Sequence, residues 1–141
     1  MTDAEIETIL RSSRTFAVVG ASNDASRPSY GVMAYLQAKG YRILPVNPML
    51  AGETLLGEPV AADLASLQGP VDVVDIFRRS DAAGDAVRAA IREKDRLAIK
   101  AVWMQIGVIN EQAAAEARDA GLTVVMDRCP AIEYPRLIGR D

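Results

Sequence analysis

Apolar residues along this chain fall into five short runs, each closed by glycine, proline or a polar turn, with helical spacing in the stretches between them. The first run, Thr15-Phe-Ala-Val-Val19, ends at Gly20, and the second, Tyr41-Arg-Ile-Leu-Pro-Val46, ends at Asn47-Pro48. Val71 to Phe77, Ala98 to Met104 and Leu122 to Met126 are the third, fourth and fifth. Such compact runs suit parallel strands covered on both faces. Between them, Thr2-Asp-Ala-Glu5 reads as a capping box ahead of a helix with Ile6, Ile9 and Leu10 on one face. Pro28-Ser29 opens a helix, with Pro in its first turn and Ser at its cap, and Gly40 stops it. Ser80-Asp81 caps a third helix, whose inner stripe is Ala83, Val87, Ala90 and Ile91. Asn110 caps a fourth, and Ala131 to Ile138 folds back as a last short one. Met49 to Val60, with Gly52, Gly57 and Pro59, is a loop or small hairpin, and Asp63 to Leu67 a helical turn.

Strands and helices therefore alternate, which calls for an α/β fold with a parallel sheet and helices on both faces. The expected architecture is Rossmann-type and doubly wound, with five parallel strands in the order 3-2-1-4-5. No repeat, low-complexity tract or linker interrupts the pattern, so residues 1–141 read as one domain. Such sheets bind ligands beyond the carboxyl ends of the strands, where the strand order reverses. The expected order brings the ends of the first and fourth strands together. Gly20-Ala-Ser22, Asn47-Pro48, Phe77-Arg78 and Gln105-Ile-Gly107 should then border one crevice.

Composition narrows the chemistry more than the fold. A net charge of -3 gives no general affinity for nucleic acid or anionic membranes. No apolar run approaches a membrane span, and the N-terminus has no secretory signal pattern, so a cytoplasmic protein is expected. The single cysteine excludes an internal disulfide. With no histidine, the chain holds no Ser-His-Asp triad, Cys-His pair or HExxH motif. The reading leans away from an enzyme. Catalysis would have to come from carboxylates, Lys, Tyr or Cys129.

The loop after the first strand is the central feature. Gly20 lets the chain turn and lets a ligand approach the backbone, and the following helix directs its first amides toward a phosphate. Ser22 and Ser29 add hydroxyl donors, and Arg27 a charge-assisted bond. The loop is neither G-x-G-x-x-G nor a Walker loop, and Val46-Asn47-Pro48 lacks the carboxylate that NAD binders place after the second strand. Both departures count against NAD. After the third strand, Arg78 or Arg79 can meet a phosphate and Phe77 can cover an adenine face. Trp103 sits inside a strand pattern and reads as core; Gln105 is placed to face the crevice, and Gly107 permits close backbone approach. Cys129 reads as a buried small residue, with Arg128 beside it as the one feature favouring reactivity.

Taken together, Val19-Gly-Ala-Ser22, Arg27-Pro-Ser-Tyr-Gly31, Gly40-Tyr-Arg-Ile-Leu-Pro-Val-Asn-Pro48, Asp75-Ile-Phe-Arg-Arg79, Val102-Trp-Met-Gln-Ile-Gly107 and Met126-Asp-Arg-Cys129 resemble the small stand-alone CoA-binding-domain proteins. That family is in turn similar to the N-terminal CoA-binding domain of the succinyl-CoA synthetase α subunit. The resemblance spans nearly the whole chain and implies a Rossmann-type fold with CoA or acyl-CoA in the strand-end crevice. By position it assigns Gly20, Ala21, Ser22, Arg27 and Ser29 to the diphosphate, and Val46, Asn47 and Pro48 to the adenosine. Phe77, Arg78, Gln105 and Gly107 line the crevice near the pantetheine or adenine. The synthetase's phosphohistidine domain has no counterpart here, so ligase activity is not implied. Met49 to Glu53 carries no Lys or Arg, so a contact to the CoA 3′-phosphate would have to come from another loop. A CoA- or acyl-CoA-binding module is the leading expectation. A nicotinamide-dependent oxidoreductase, an enzyme acting on acyl-CoA through Cys129, and an interaction subunit with an unknown protein partner are the alternatives.

Overall fold

Side chains on successive strand residues point to opposite faces of a sheet, and here both faces are apolar, so each run becomes a strand covered on both sides. The computed structural model of the protein describes residues 1–139. Five parallel strands form the main sheet: β1 (Thr15–Val19), β2 (Arg42–Val46), β5 (Val73–Ile76), β6 (Ala101–Met104) and β7 (Thr123–Val125). The two-residue strands β3 (Thr54–Leu55) and β4 (Glu58–Pro59) make the small hairpin. Helices α1 (Asp3–Ser12), α2 (Pro28–Ala38) and α5 (Pro130–Leu137) cover one face, packing on Phe16, Val18, Val73 and Trp103. Helices α3 (Ser80–Leu97) and α4 (Glu111–Asp119) cover the other, over Ala17, Val74, Ile76, Val102 and Met104. No helix among the described residues is long and apolar enough to cross a membrane.

The fold class agrees with the sequence reading, but the strand order does not. The sheet runs β2-β1-β5-β6-β7, so the third long strand lies beside β1 and not beyond β2. Pro45 supplies the reason. A proline has no amide to give a ladder and is confined to edges. Its carbonyl points outward, accepting from Ala61 N at 3.0 Å, which puts the missing donor on the outer side of β2. The topological reversal therefore falls between β1 and β5, and β5 separates the ends of β1 and β6.

Local signals decide most helix ends. The capping box forms, with Thr2 Oγ1 accepting from Glu5 N and Glu5 Oε1 accepting from Thr2 N. Asn110 caps α4, accepting from Ala113 N at 3.0 Å. Two expected caps are displaced. Pro28 is the first residue of α2, so Arg27 stands at the cap without a side-chain bond and Ser29 is buried inside the first turn. Ser80 likewise begins α3; its hydroxyl donates to Gly107 O at 3.1 Å and accepts from Ile109 N at 3.0 Å, tying two loops together. The fourth strand starts later than expected because Ala98 takes a left-handed conformation to end α3.

Two glycines of this end of the sheet have positive φ but different surroundings. At Gly20 a Cβ would lie 2.2 Å from the Phe77 carbonyl oxygen, whereas at Gly107 it would meet nothing within 4 Å. Gly107→Ala should cost only the left-handed backbone penalty, about 1 kcal/mol. Gly20→Ala adds a collision with backbone and should cost about 3 kcal/mol. Urea unfolding of the two variants measures the difference, and equal losses would refute the close approach.

Candidate functional site

The carboxyl ends of β1, β2 and β5 are stitched together by backbone bonds. Gly20 N and Ala21 N both donate to Val46 O, and Phe77 N donates to Val19 O at 2.8 Å. The chain then leaves β1 toward α2 on one face and β5 toward α3 on the other, opening a crevice between the two loops. This crevice has a volume of about 840 Å³. Gly20, Ala21, Ser22, Arg27 and Ser29 line it from the first loop and α2. Asn47, Phe77, Arg78 and Gln105 line it from the other strand ends.

Val46 and Pro48 face elsewhere, into a second cavity of about 180 Å³ between the β2 end and α3. Its walls are mostly apolar, with Leu64, Ala82, Ala86 and Ala89, and Asp63 and Asp85 contribute carboxylates. Gly20 and Arg78 border both cavities. Gly107 lines neither. Its amide donates to Asp127 Oδ1 at 2.7 Å, in the loop after β7.

The first loop is held in shape before any ligand arrives. Ser22 Oγ accepts from Asp24 N, and Asp24 Oδ1 accepts from both Ser26 N and Ser26 Oγ. Asn47 Nδ2 donates to Ala21 O at 2.8 Å while its Oδ1 accepts from Met49 N, so both ends of that amide already serve the backbone. Asn47 is therefore a brace for the loop. Arg79 pairs with Asp81 at 3.3 Å, whereas Arg78 has no ion pair among the described residues. Trp103 is fully buried and donates to Arg128 O at 2.9 Å, the expected core role.

The far end of the crevice is apolar, lined by Ile106, Val108, Cys129 and Ile132. Cys129 is buried, as its reading as a small core residue requires, yet it borders the same space. Ile106 lies within the Gln105-Ile-Gly107 stretch expected at the crevice, whereas Val108, in the loop after β6, and Ile132, in the first turn of α5, were not singled out, because only the fold determines which way their side chains face.

Asp75 was also not singled out. It lies fully buried in the middle of the sheet, in a cross-strand row of Pro45, Val18, Asp75, Trp103 and Val125. One amide position of Gln105 is 2.9 Å from Asp75 Oδ1 and 3.1 Å from Oδ2. Burial pushes this carboxyl well above its ordinary value, and the Ile76 backbone amide offsets that only partly. A carboxylate inside Val73-Val74-Asp75-Ile76 was the available signal, because a parallel strand has no solvated face to receive it.

The sequence family described as CoA binding domain matches residues 14–135. The chain is 38% identical to the uncharacterized protein YneT of Bacillus subtilis (strain 168) over 131 residues, covering 93% of each chain. A solved structure from Thermus thermophilus superposes with a TM-score of 0.90 at 40% identity, covering 98% of this chain and all of that one. A hypothetical protein from Pyrococcus horikoshii OT3 gives a TM-score of 0.90 at 34% identity, over 99% of this chain and 94% of the other.

A raised carboxyl makes the folded protein hold a proton that the unfolded chain releases. Stability then falls as pH rises from about the ordinary 3.8 toward the raised value. Asp75→Asn should lack this component, so its stability relative to the wild type should improve from pH 4 to pH 7. Urea unfolding across that range tests it, and a pH-independent difference would contradict it.

Proposed function

The chain belongs to the CoA-binding domain family, and on that premise we propose that it binds coenzyme A or an acyl-CoA across the carboxyl end of β1, as a binding module with no reaction of its own. The observation that supports this most is the layout of the two cavities about Gly20. The small apolar one suits a purine ring, and the Gly20-Ala21-Ser22 loop with the uncapped start of α2 suits the diphosphate. The larger one continues over the ends of β5 and β6, and its volume and the lining by Ile106, Val108 and Ile132 suit a pantetheine arm.

Arg27 and Arg78 are the cations for the phosphates. Arg78, on the rim shared by both cavities, takes the role that the Met49 to Glu53 segment cannot fill, a contact to the 3′-phosphate. Val46 and Pro48 would flank the adenine, and Phe77 would pack on the arm. Asn47 would act indirectly, through the loop it braces.

Asp63 and Asp85 on the small cavity favour a second reading, a nicotinamide dinucleotide, because carboxylates there suit ribose hydroxyls. Titration calorimetry separates the two. CoA is expected to bind below millimolar, with NAD at least about tenfold weaker. Arg78→Ala should weaken CoA by about tenfold, the worth of one charge-assisted bond, and should shrink the preference for CoA over dephospho-CoA. No binding of any CoA form below millimolar removes the proposal. Tighter binding of NAD than of CoA moves it to the second reading.

A further inference from the structure

Asp63 and Leu64 line the small cavity beside Ala82, Ala86 and Ala89 of α3, yet the chain that carries them is held far less firmly than the helix. Ala61 N still donates to Pro45 O at 3.0 Å, and the next backbone bond to the body of the protein is Val71 N to Leu97 O at 2.7 Å. The stretch 62–70 between them contains a 3₁₀ turn, Leu64–Ser66. Asp63 caps that turn, accepting from Ser66 N at 3.0 Å and from Ser66 Oγ at 2.7 Å, so its bonds stay inside the stretch.

Among the described residues, every hydrogen bond that reaches the stretch from outside comes from one side chain, Arg96 in the last turn of α3. Its Nη1 donates to Leu67 O at 2.8 Å, and its Nη2 donates to Leu64 O at 3.1 Å and to Ala65 O at 3.2 Å. Nε donates to Glu93 Oε1 at 2.6 Å, which orients the guanidinium from behind. A basic residue at this position ordinarily serves its own helix's carbonyl end. Here the fork crosses to the turn instead. Leu64 and Leu67 are buried, but apolar burial has no direction and does not fix a spacing. A planar fork on three carbonyls does.

We propose that Arg96 is a positioning residue for the base end of the ligand, holding the Asp63-Leu64 wall at the distance from α3 that a flat ring requires. Resting on the CoA reading above, that ring is the adenine. The two halves of CoA should then respond differently to loss of the fork. Binding of the adenosine half depends on the wall, and binding of the pantetheine half, in the larger crevice, does not.

Two measurements test this separately from the CoA reading. In protein without ligand, amide hydrogen exchange at Ser66 and Leu67 is expected to be about tenfold faster in Arg96→Ala than in the wild type. Arg92→Ala, which removes an exposed charge from the same helix, should leave it unchanged. NMR titration of Arg96→Ala should show adenosine 3′,5′-bisphosphate binding about tenfold more weakly, and 4′-phosphopantetheine within about twofold of the wild type. Near-ultraviolet circular dichroism checks that the packing is kept. Unchanged exchange overturns the proposal whether or not CoA binds. So does faster exchange with unchanged affinity for the bisphosphate, or an equal loss for both fragments. Should Arg96→Ala not fold, Arg96→Lys keeps the charge but not the fork and carries the same expectations. If the wild type binds no CoA form, the reading under Proposed function fails, while exchange still judges the hold of Arg96 on the turn.

Discussion

At the end of β1 the backbone passes so close to the Phe77 carbonyl that a Cβ on residue 20 would lie 2.2 Å from its oxygen. Only glycine fits, and only glycine takes the positive φ of that turn without strain. This approach lets β1 and β5 run side by side to their very ends and then part to opposite faces. Everything at the candidate site depends on that parting. It opens the large crevice toward α2 and α5, leaves the smaller cavity toward α3, and makes Gly20 a border of both.

The neighbours of Gly20 keep the opening in a fixed shape. Val46 O accepts from two successive loop amides, and Asn47 crosses from β2 to hold the Ala21 carbonyl. A loop already ordered by its own strands loses little freedom when a phosphate arrives, so more of the contact energy remains as affinity. The same end of the sheet holds a contrasting element, the buried Asp75 beside Gln105, where polarity is placed inside an apolar wall. A parallel sheet gives such a group no route to water, so the Gln105 amide is the polar neighbour it depends on.

How much of this could be read from the residues depends on the range of each interaction. The capping box at Thr2 and Glu5, the cap at Asn110, the core role of Trp103 and the loop at Gly20 were legible, because each rests on neighbours in sequence or on strand periodicity. Strand order was not, since pairing joins segments far apart; Pro45 was the local sign that β2 belongs at an edge. Ser29 and Ser80 look like caps in sequence, but α2 begins two residues and α3 one residue earlier than those caps require. Asn47 was placed at the adenosine, and the structure shows both ends of its amide bound to backbone. Gly107 was placed in the crevice, and it is not among the residues that line it; its amide meets Asp127.

On the proposed function, CoA lies across the carboxyl end of β1. Backbone amide NMR during a CoA titration tests its location directly. Saturable shifts are expected at Gly20, Ser22, Asn47, Phe77 and Gln105, with none at Arg14, Asp72 and Lys100 at the opposite end of the sheet. Saturable shifts centred on that opposite end, or no shifts at millimolar CoA, would contradict it.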